Sequence, residues 1–314
     1  RDLELYARLT EDKKIIGITG TNGKSTTTKL ISDILSSNNI KNFAGGNLGL
    51  PLLDYKKLNN KIKFHVIELS SFQLESVDSF NPFISILLNI SPDHLDRYKS
   101  FPEYILQKEK IINLNKNAFN IISLDDPNTL NIYKKNKEKF IPISNKFIEK
   151  GIFFKDNCIV DNYFDNNKTI NISSVSPSLF GIFNIQNILA AYVVVKILKL
   201  DIKNFIKIIK NFKGLPHRLE KIYQNDNLQV INNSKATNID ASIKSIMNFE
   251  KINLILGGKN DKKDREFNRI LKYKKKINKV YLIGEASKSI YRQLKNGINC
   301  EICNTLEIAI KKIF

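Results

Sequence analysis

The sequence has no tryptophan, a single methionine and only three cysteines in 314 residues. So few cysteines exclude a disulfide-stapled scaffold at this length. Cys300 and Cys303 form one C-x-x-C, but no second pair or nearby histidine completes the four ligands of a structural zinc site. This sparing use of cysteine points to a reducing compartment, and the cytoplasm is the expected location. No stretch approaches the ~18 consecutive apolar residues of a membrane helix, so no membrane insertion is expected. The best candidates, 83–90 and 190–200, are short or interrupted by Asn89, Lys196 and Lys199. The opening residues Arg1-Asp2-Leu3-Glu4 are charged and do not resemble a signal peptide. Arginine is scarce too: it supplies seven of the fifty basic residues, although the formal net charge is +19. Nucleic-acid readers exploit the paired donors of arginine. Here lysine accompanies abundant asparagine and isoleucine along the whole chain. The charge is therefore compositional, and nucleic acid is not expected as a partner.

What is present is a repeated alternation of short apolar runs with helical patterns. The length suggests two domains. Lys14–Ile18 reads as a buried strand, followed by a glycine-containing loop and a helix carrying Leu30, Ile31, Ile34 and Leu35. Further strands are expected at 64–69, 83–90 and 121–124. Near-continuous apolar strands between helices imply a parallel sheet covered on both faces. Residues 140–175 read as antiparallel hairpins, and a long helix is expected over 184–199. A domain boundary falls near Lys213-Gly214. Beyond it, strands at 229–231, 252–256 and 280–283 alternate with helices near 241–247 and 264–272, and the chain closes on a helix at 305–314. The fold class is α/β: a P-loop-type, mostly parallel sheet domain followed by a second, Rossmann-like α/β domain that reads as incomplete.

The loop after the first strand carries the strongest chemical signal. Thr19-Gly20-Thr21-Asn22-Gly23-Lys24-Ser25-Thr26 lies between a strand and a helix. Backbone N–H groups of such a turn, with the following helix N-terminus, bind phosphate. Lys24 can reach the β- and γ-phosphates, and the Ser25 hydroxyl can ligate magnesium. The usual first glycine of the motif is replaced by Ile18. Glu68 ends a strand on the side where α/β sheets place ligands, and can share a metal with Ser25. His94 heads an Asp-His-x-Asp cluster, suited to a second magnesium or a phosphate.

The loop resembles that of the Mur ligases, ATP-dependent amino-acid ligases of peptidoglycan synthesis; the folylpolyglutamate synthases share it. Further motifs follow in the family's order: Gly45-Gly46-Asn47-Leu48-Gly49, Glu68-Leu69-Ser70-Ser71-Phe72-Gln73-Leu74, and Asn89 through Tyr98. They continue with Asn184 through Ala191, Gly214-Leu215-Pro216-His217-Arg218 and Asn233-Ser234-Lys235-Ala236-Thr237-Asn238. The second of these is most similar to the branch that adds D-glutamate to UDP-N-acetylmuramoyl-L-alanine. The resemblance implies ATP and two magnesium ions as cofactors, those two substrates as partners, a monomer, and an acyl-phosphate intermediate. It leaves open a sister ligase for another amino acid or a folate, or a nucleotide-binding fragment.

The resemblance also implies residue roles. Gly20, Thr21, Asn22, Gly23, Lys24, Ser25 and Thr26 would hold the triphosphate. Asn184 and Asn187 would face adenine, and Arg218 and Asn233 would contact the nucleotide. Ser25, Glu68, His94 and Lys108 would serve the metals, with Lys108 carbamylated by CO₂. Asn47, Ser70, Lys235, Thr237 and Lys262 would meet the substrates; Lys263 competes with Lys262. Lys24, His94, Lys108 and Lys235 would carry catalysis, with a hinge near Gly214. Two positions depart from the pattern: Phe183 stands where histidine is usual, and Asn233 where aspartate is usual. Residues 1–13 read as a linker from a missing UDP-binding domain, 14–213 as the ATP-binding domain, and 214–314 as a truncated amino-acid-binding domain.

Overall fold

The computed structural model describes residues 2–10, 13–47, 49–57, 62–94, 97–179, 181–259 and 266–314. The chain divides into two compact units, Arg1–Leu215 and Pro216–Phe314.

The first unit opens with a folded element where a linker was expected. Helix α1 (Asp2–Leu9) buries Leu3, Tyr6 and Ala7. The Tyr6 hydroxyl and His65 Nδ1 share a buried hydrogen bond at 2.5 Å. Glu4 accepts from the Asp78 and Ser79 N–H groups and from the Ser79 hydroxyl. With Arg8 these bonds, led by the Ser79 hydroxyl, hold its carboxyl down to about 2.

Strand β1 (Lys14–Thr19) leads into α2 (Lys24–Ser37), then β2 (Asn42–Gly46), β3 (Phe64–Glu68), the single-turn α3 (Ser71–Leu74) and β4 (Ile84–Leu87). Helix α4 (Phe101–Glu109), β5 (Phe119–Ser123), α5 (Pro127–Lys135) and β6 (Phe140–Ser144) follow. Three short strands, β7 (Ile152–Lys155), β8 (Cys158–Asp161) and β9 (Lys168–Asn171), precede α6 (Ile182–Ile197) and α7 (Ile202–Asn211). All nine strands join one sheet in the order β2-β3-β1-β4-β5-β6-β7-β8-β9. Pairing is parallel through β7 and antiparallel at β8 and β9.

Residues 140–144 therefore correct the hairpin reading, since they form a parallel strand inside the main sheet. Pro142 hid this, because proline lacks the ladder donor and is usually confined to edges. It is tolerated because β7 joins only from Ile143 onward. The apolar run 83–90 also ends early as a strand, at Leu87. Its partner β1 stops at Thr19, and the next residues turn toward the loop that follows β1. The core is a contiguous aliphatic cluster in which Ile16, Ile18, Leu30, Ile31, Val66, Ile86 and the apolar face of α6 interlock.

The second unit begins with a separate antiparallel pair, β10 (Glu220–Gln224) and β11 (Gln229–Asn232). The run 229–231, read as part of the parallel sheet, belongs to this hairpin instead. After α8 (Ile239–Met247), a three-stranded parallel sheet forms from β12 (Ile252–Gly257), β13 (Ile277–Ile283) and β14 (Cys300–Asn304). Helices α9 (Ser287–Leu294) and α10 (Leu306–Ile313) pack on it. Residues Phe267–Lys276 are a 3₁₀ segment broken at Tyr273, where an α-helix was expected. Cys300 and Cys303 lie three residues apart on β14, so their side chains leave opposite faces of the strand. Among the described residues no three His, Cys, Asp or Glu side chains group to hold a metal, and no helix is long and apolar enough to cross a membrane.

Candidate active site

Strand β1, held between β3 and β4, delivers Thr19 to the C-terminal edge of the sheet, where such sheets place ligands. At Gly20 the chain passes so near the end of β4 that an added Cβ would lie 3.1 Å from Leu88 Cβ and 3.2 Å from Asn89 N. This accounts for Ile18 in place of the usual glycine. Residue 18 is still mid-strand, fully buried and paired on both sides, and the close approach comes two residues later. Gly23 has φ 89°, and a Cβ there would sit 2.5 Å from Asn187 Oδ1. Helix α2 then starts at Lys24 without a side-chain cap. Its first-turn N–H groups and its dipole make an anion site. Lys24 Nζ donates to the carbonyls of Gly20 and Thr21, each at 2.9 Å, and Ser25 is buried.

Glu68, at the end of β3, is only 2% exposed. Its Oε1 accepts from Asn47 Nδ2 at 3.1 Å, while its buried Oε2 has no hydrogen-bond partner. The loop bearing Asn47 closes on β3 because Gly46 has no side chain: a Cβ there would lie 2.3 Å from Glu68 O. An orphaned buried carboxylate oxygen is costly unless a cation completes it. Magnesium commonly takes one or two carboxylates and otherwise uses phosphate and water oxygens. One buried carboxylate and one buried serine hydroxyl beside an anion site fit that habit.

Lys108, in the last turn of α4, is 2% exposed. Its Nζ donates to Gly20 O at 2.8 Å and lies 4.9 Å from the Tyr104 ring centre. Burial above all, then repulsion from Lys24, holds its amine well below the usual lysine range; Asp93 and Glu68 oppose this more weakly. Lys24, Asp93 and Glu68 thus all act on one buried nitrogen. Lys110, the neighbouring candidate, instead donates to Glu75 O at an exposed position.

His94 adopts a left-handed backbone with φ 57°. Its Nε2 lies 3.7 Å from Asp93 Oδ2, and its ring meets Phe72 edge-on at 4.8 Å. Arg97 stacks on Phe72 at 4.7 Å and grips Glu75 with two N–H groups. Ser70 caps α3: its hydroxyl accepts from Gln73 N, and the Gln73 side chain returns to Ser70 N. Its hydroxyl, expected at a substrate, has this structural task as well.

Asn187 is committed to the loop. It accepts from Thr27 Oγ1 and donates to Asn184 Oδ1, both at 3.0 Å, and is 2% exposed. Its Oδ1 fills the space that a side chain at Gly23 would need, a closeness that helix spacing alone did not reveal.

In the second unit the motifs at 214–218 and 233–238 meet. Leu219 N donates to Asn233 Oδ1 at 3.1 Å, and Lys235 N donates to His217 O at 3.1 Å. Arg218 is half-buried; Lys235 and Thr237 are exposed. Asn233 thus uses its amide oxygen to close a turn, which a carboxylate would do equally well. Lys262 and Lys263 lie outside the described residues, as do Leu48 and Asp96.

Four residues at the first site take tasks that sequence reasoning did not assign to them, although Asp93 was read as part of the Asp-His-x-Asp cluster. Asp93 has a side chain only 9% exposed and acts on Lys108. The Tyr104 hydroxyl lies 3.1 Å from Thr21 Oγ1. Asn89 and Gln186 bond beside the loop. The available signal was polarity out of place: Asn89 interrupts an apolar run, and Gln186 lies on a predominantly apolar helix.

Residues 18–195 match the Mur ligase middle domain family. A UDP-N-acetylmuramoylalanine--D-glutamate ligase from Rickettsia bellii is 38% identical over 99% of this chain and 69% of its own length. Among solved structures, MurF from Acinetobacter baumannii superposes with a TM-score of 0.75 at 16% identity, covering 99% of this chain and 72% of that one. MurF from Thermotoga maritima in complex with ADP gives 0.68, also at 16% identity, covering 99% and 82%. These two likenesses show the fold. With the family match and the relative's identity added, the chain belongs to the Mur ligase family.

Proposed function

We propose that the chain is an ATP-dependent ligase joining D-glutamate to UDP-N-acetylmuramoyl-L-alanine in peptidoglycan precursor synthesis. The observation that carries this reading is that Lys24 and buried Lys108 both donate to the Gly20 carbonyl, beside an uncapped helix start. The kinship with a D-glutamate ligase supplies the substrates.

A carboxylate is a poor electrophile, so the alanyl carboxylate first takes the γ-phosphoryl group of ATP. The amine of D-glutamate then attacks the acyl phosphate, the amide forms and phosphate leaves. The Gly20–Thr26 loop frames the triphosphate, which the N–H groups from Gly23 onward hold, and Lys24 places positive charge on the moving phosphoryl group. Glu68 and Ser25 would hold one magnesium ion, and His94 with carbamylated Lys108 a second. When bound, magnesium supplies charge neutralisation on phosphate oxygens. For the carbamate, the neutral Lys108 amine adds to the carbon of CO₂: one N–C bond forms, one C=O π bond breaks with its electron pair passing to oxygen, and one proton leaves the nitrogen for water. Depression of the amine's pKa by burial makes the neutral form available. Asn47 and Ser70 are assigned to the UDP-linked substrate. Lys235, Thr237 and Lys262 are assigned to D-glutamate, and Arg218, Asn233 and Asn184 to the nucleotide. The three free cysteines accord with a reducing cytoplasm, and we assign a monomer.

The test is ADP release with UDP-N-acetylmuramoyl-L-alanine present and D-glutamate, L-lysine or glutamyl-folate offered in turn. Stimulation by D-glutamate alone is expected; stimulation by either other acceptor would transfer the chain to a sister activity.

A further inference from the structure

A buried chain of polar side chains leads sideways from the nucleotide loop into the sheet. Asn89, just past β4, holds both backbone polar groups of Asn22. Its Oδ1 accepts from Asn22 N at 2.8 Å, and its Nδ2 donates to Asn22 O at 3.0 Å. Its main-chain carbonyl accepts from Thr21 N at 2.8 Å. The second Nδ2 proton goes to Gln186 Oε1 at 2.7 Å. Gln186 Nε2 donates to Ser123 Oγ at 2.5 Å, and Ser123 Oγ donates to Asp125 Oδ2 at 3.2 Å. The other oxygen of Asp125 accepts from Ser144 Oγ and Asn145 N, both at 2.9 Å.

A carboxamide fits its cavity nearly as well either way round, so its neighbours decide its orientation. Here the decision starts at Asp125, which as a carboxylate only accepts. Ser123 spends its single proton on it and presents a lone pair to Gln186. Gln186 must therefore turn its NH₂ toward Ser123 and its oxygen toward Asn89. Asn89 in turn offers NH₂ to Gln186 and to Asn22 O, which leaves its oxygen for Asn22 N. A flipped Asn89 would set donor against donor and acceptor against acceptor on the backbone of Asn22. The arrangement also withdraws the N–H groups of Thr21 and Asn22 from any ligand, so that phosphate must be held by the amides from Gly23 onward.

We propose that Asn89 and Gln186 are positioning residues for the nucleotide loop, fixing the Asn22 peptide and with it the placement of the Gly23–Thr26 N–H groups. This rests on the reading of that loop as the ATP site. Neither residue touches substrate in this role.

The test compares Asn89→Asp, Gln186→Leu and Ser85→Ala with the unmodified chain. Ser85 is a control: a buried residue of β4 that bonds Asn120 and has no bond to the loop. ATP affinity in magnesium buffer is measured by calorimetry well below each melting midpoint. Asn89→Asp and Gln186→Leu are each expected to weaken ATP binding about tenfold, the effect of one lost buried hydrogen bond. Ser85→Ala should melt earlier yet bind ATP as the unmodified chain does. If Asn89→Asp fails to fold, Gln186→Leu carries the test, because it leaves Asn89 in place. Unaltered ATP affinity in Gln186→Leu, or an equal loss in Ser85→Ala, would overturn the proposal. Failure of the unmodified chain to bind ATP would instead strike the nucleotide-site reading.

Discussion

Lys108 and Lys235 belong to different units and occupy opposite surroundings. Lys108 is enclosed, bonded to the Gly20 carbonyl and repelled by Lys24. Lys235 lies on an exposed turn, fixed through its backbone to His217 while its side chain reaches solvent. The same contrast runs through the sheets. The strands β1, β3 and β4 that frame the first site are almost wholly buried, whereas β12 of the second unit is half-exposed along its length. The side proposed to handle phosphate is thus part of a core, and its geometry is held by the energy that folds the unit. Lys235 and Thr237, assigned to the amino acid, are exposed at the surface and are free to serve specificity without holding anything together.

The largest expected effect tests the enclosed lysine directly. Lys108→Ala should lower ligase turnover about a hundredfold to a thousandfold, as removal of a charge-stabilising group does. Short carboxylic acids should restore part of the rate and bicarbonate none; full activity in the variant would remove Lys108 from the site. The next test sharpens the contrast through pH. In carbonate-free buffer the buried Lys108 amine has a folded pKa below its unfolded value of 10.5. Between those two values the unfolded chain binds a proton that the folded chain does not, so stability rises with pH across that window. Lys108→Met should flatten this rise in urea titrations and add stability near neutral pH; an unchanged slope would mean that the amine is solvated. The smallest effect belongs to the surface. Lys235→Ala should shift unfolding free energy by less than about 0.5 kcal/mol while abolishing stimulation of ADP release by D-glutamate. A large loss of stability there would break the contrast.

Legibility follows the same division. Buried parallel strands announce themselves as apolar runs, so β1, β3 and the strand after α4 were readable from side chains alone. The loop was readable because glycine, lysine and serine stand at fixed offsets between a strand and a helix. Strand β6 was obscured by Pro142, and β14 by the alternation of Cys and Glu with Ile. The resemblance named Glu68 and Lys108, but no local pattern showed that Glu68 keeps one oxygen without a partner, or that Lys108 is buried against Gly20. Those facts depend on chain segments brought together from far apart in sequence. Asn187 shows the converse: its spacing from Asn184 was visible, but its closeness to Gly23 was not.

The backbone at His94 has a further consequence. A residue other than glycine in the left-handed region bears a local cost of about 1 kcal/mol. Glycine would adopt φ 57° there without that penalty. Selection for thermal resilience alone would tend to replace this histidine, so programmes that evolve the chain for heat tolerance without a turnover screen should drift toward variants that lack the magnesium ligand proposed at this turn.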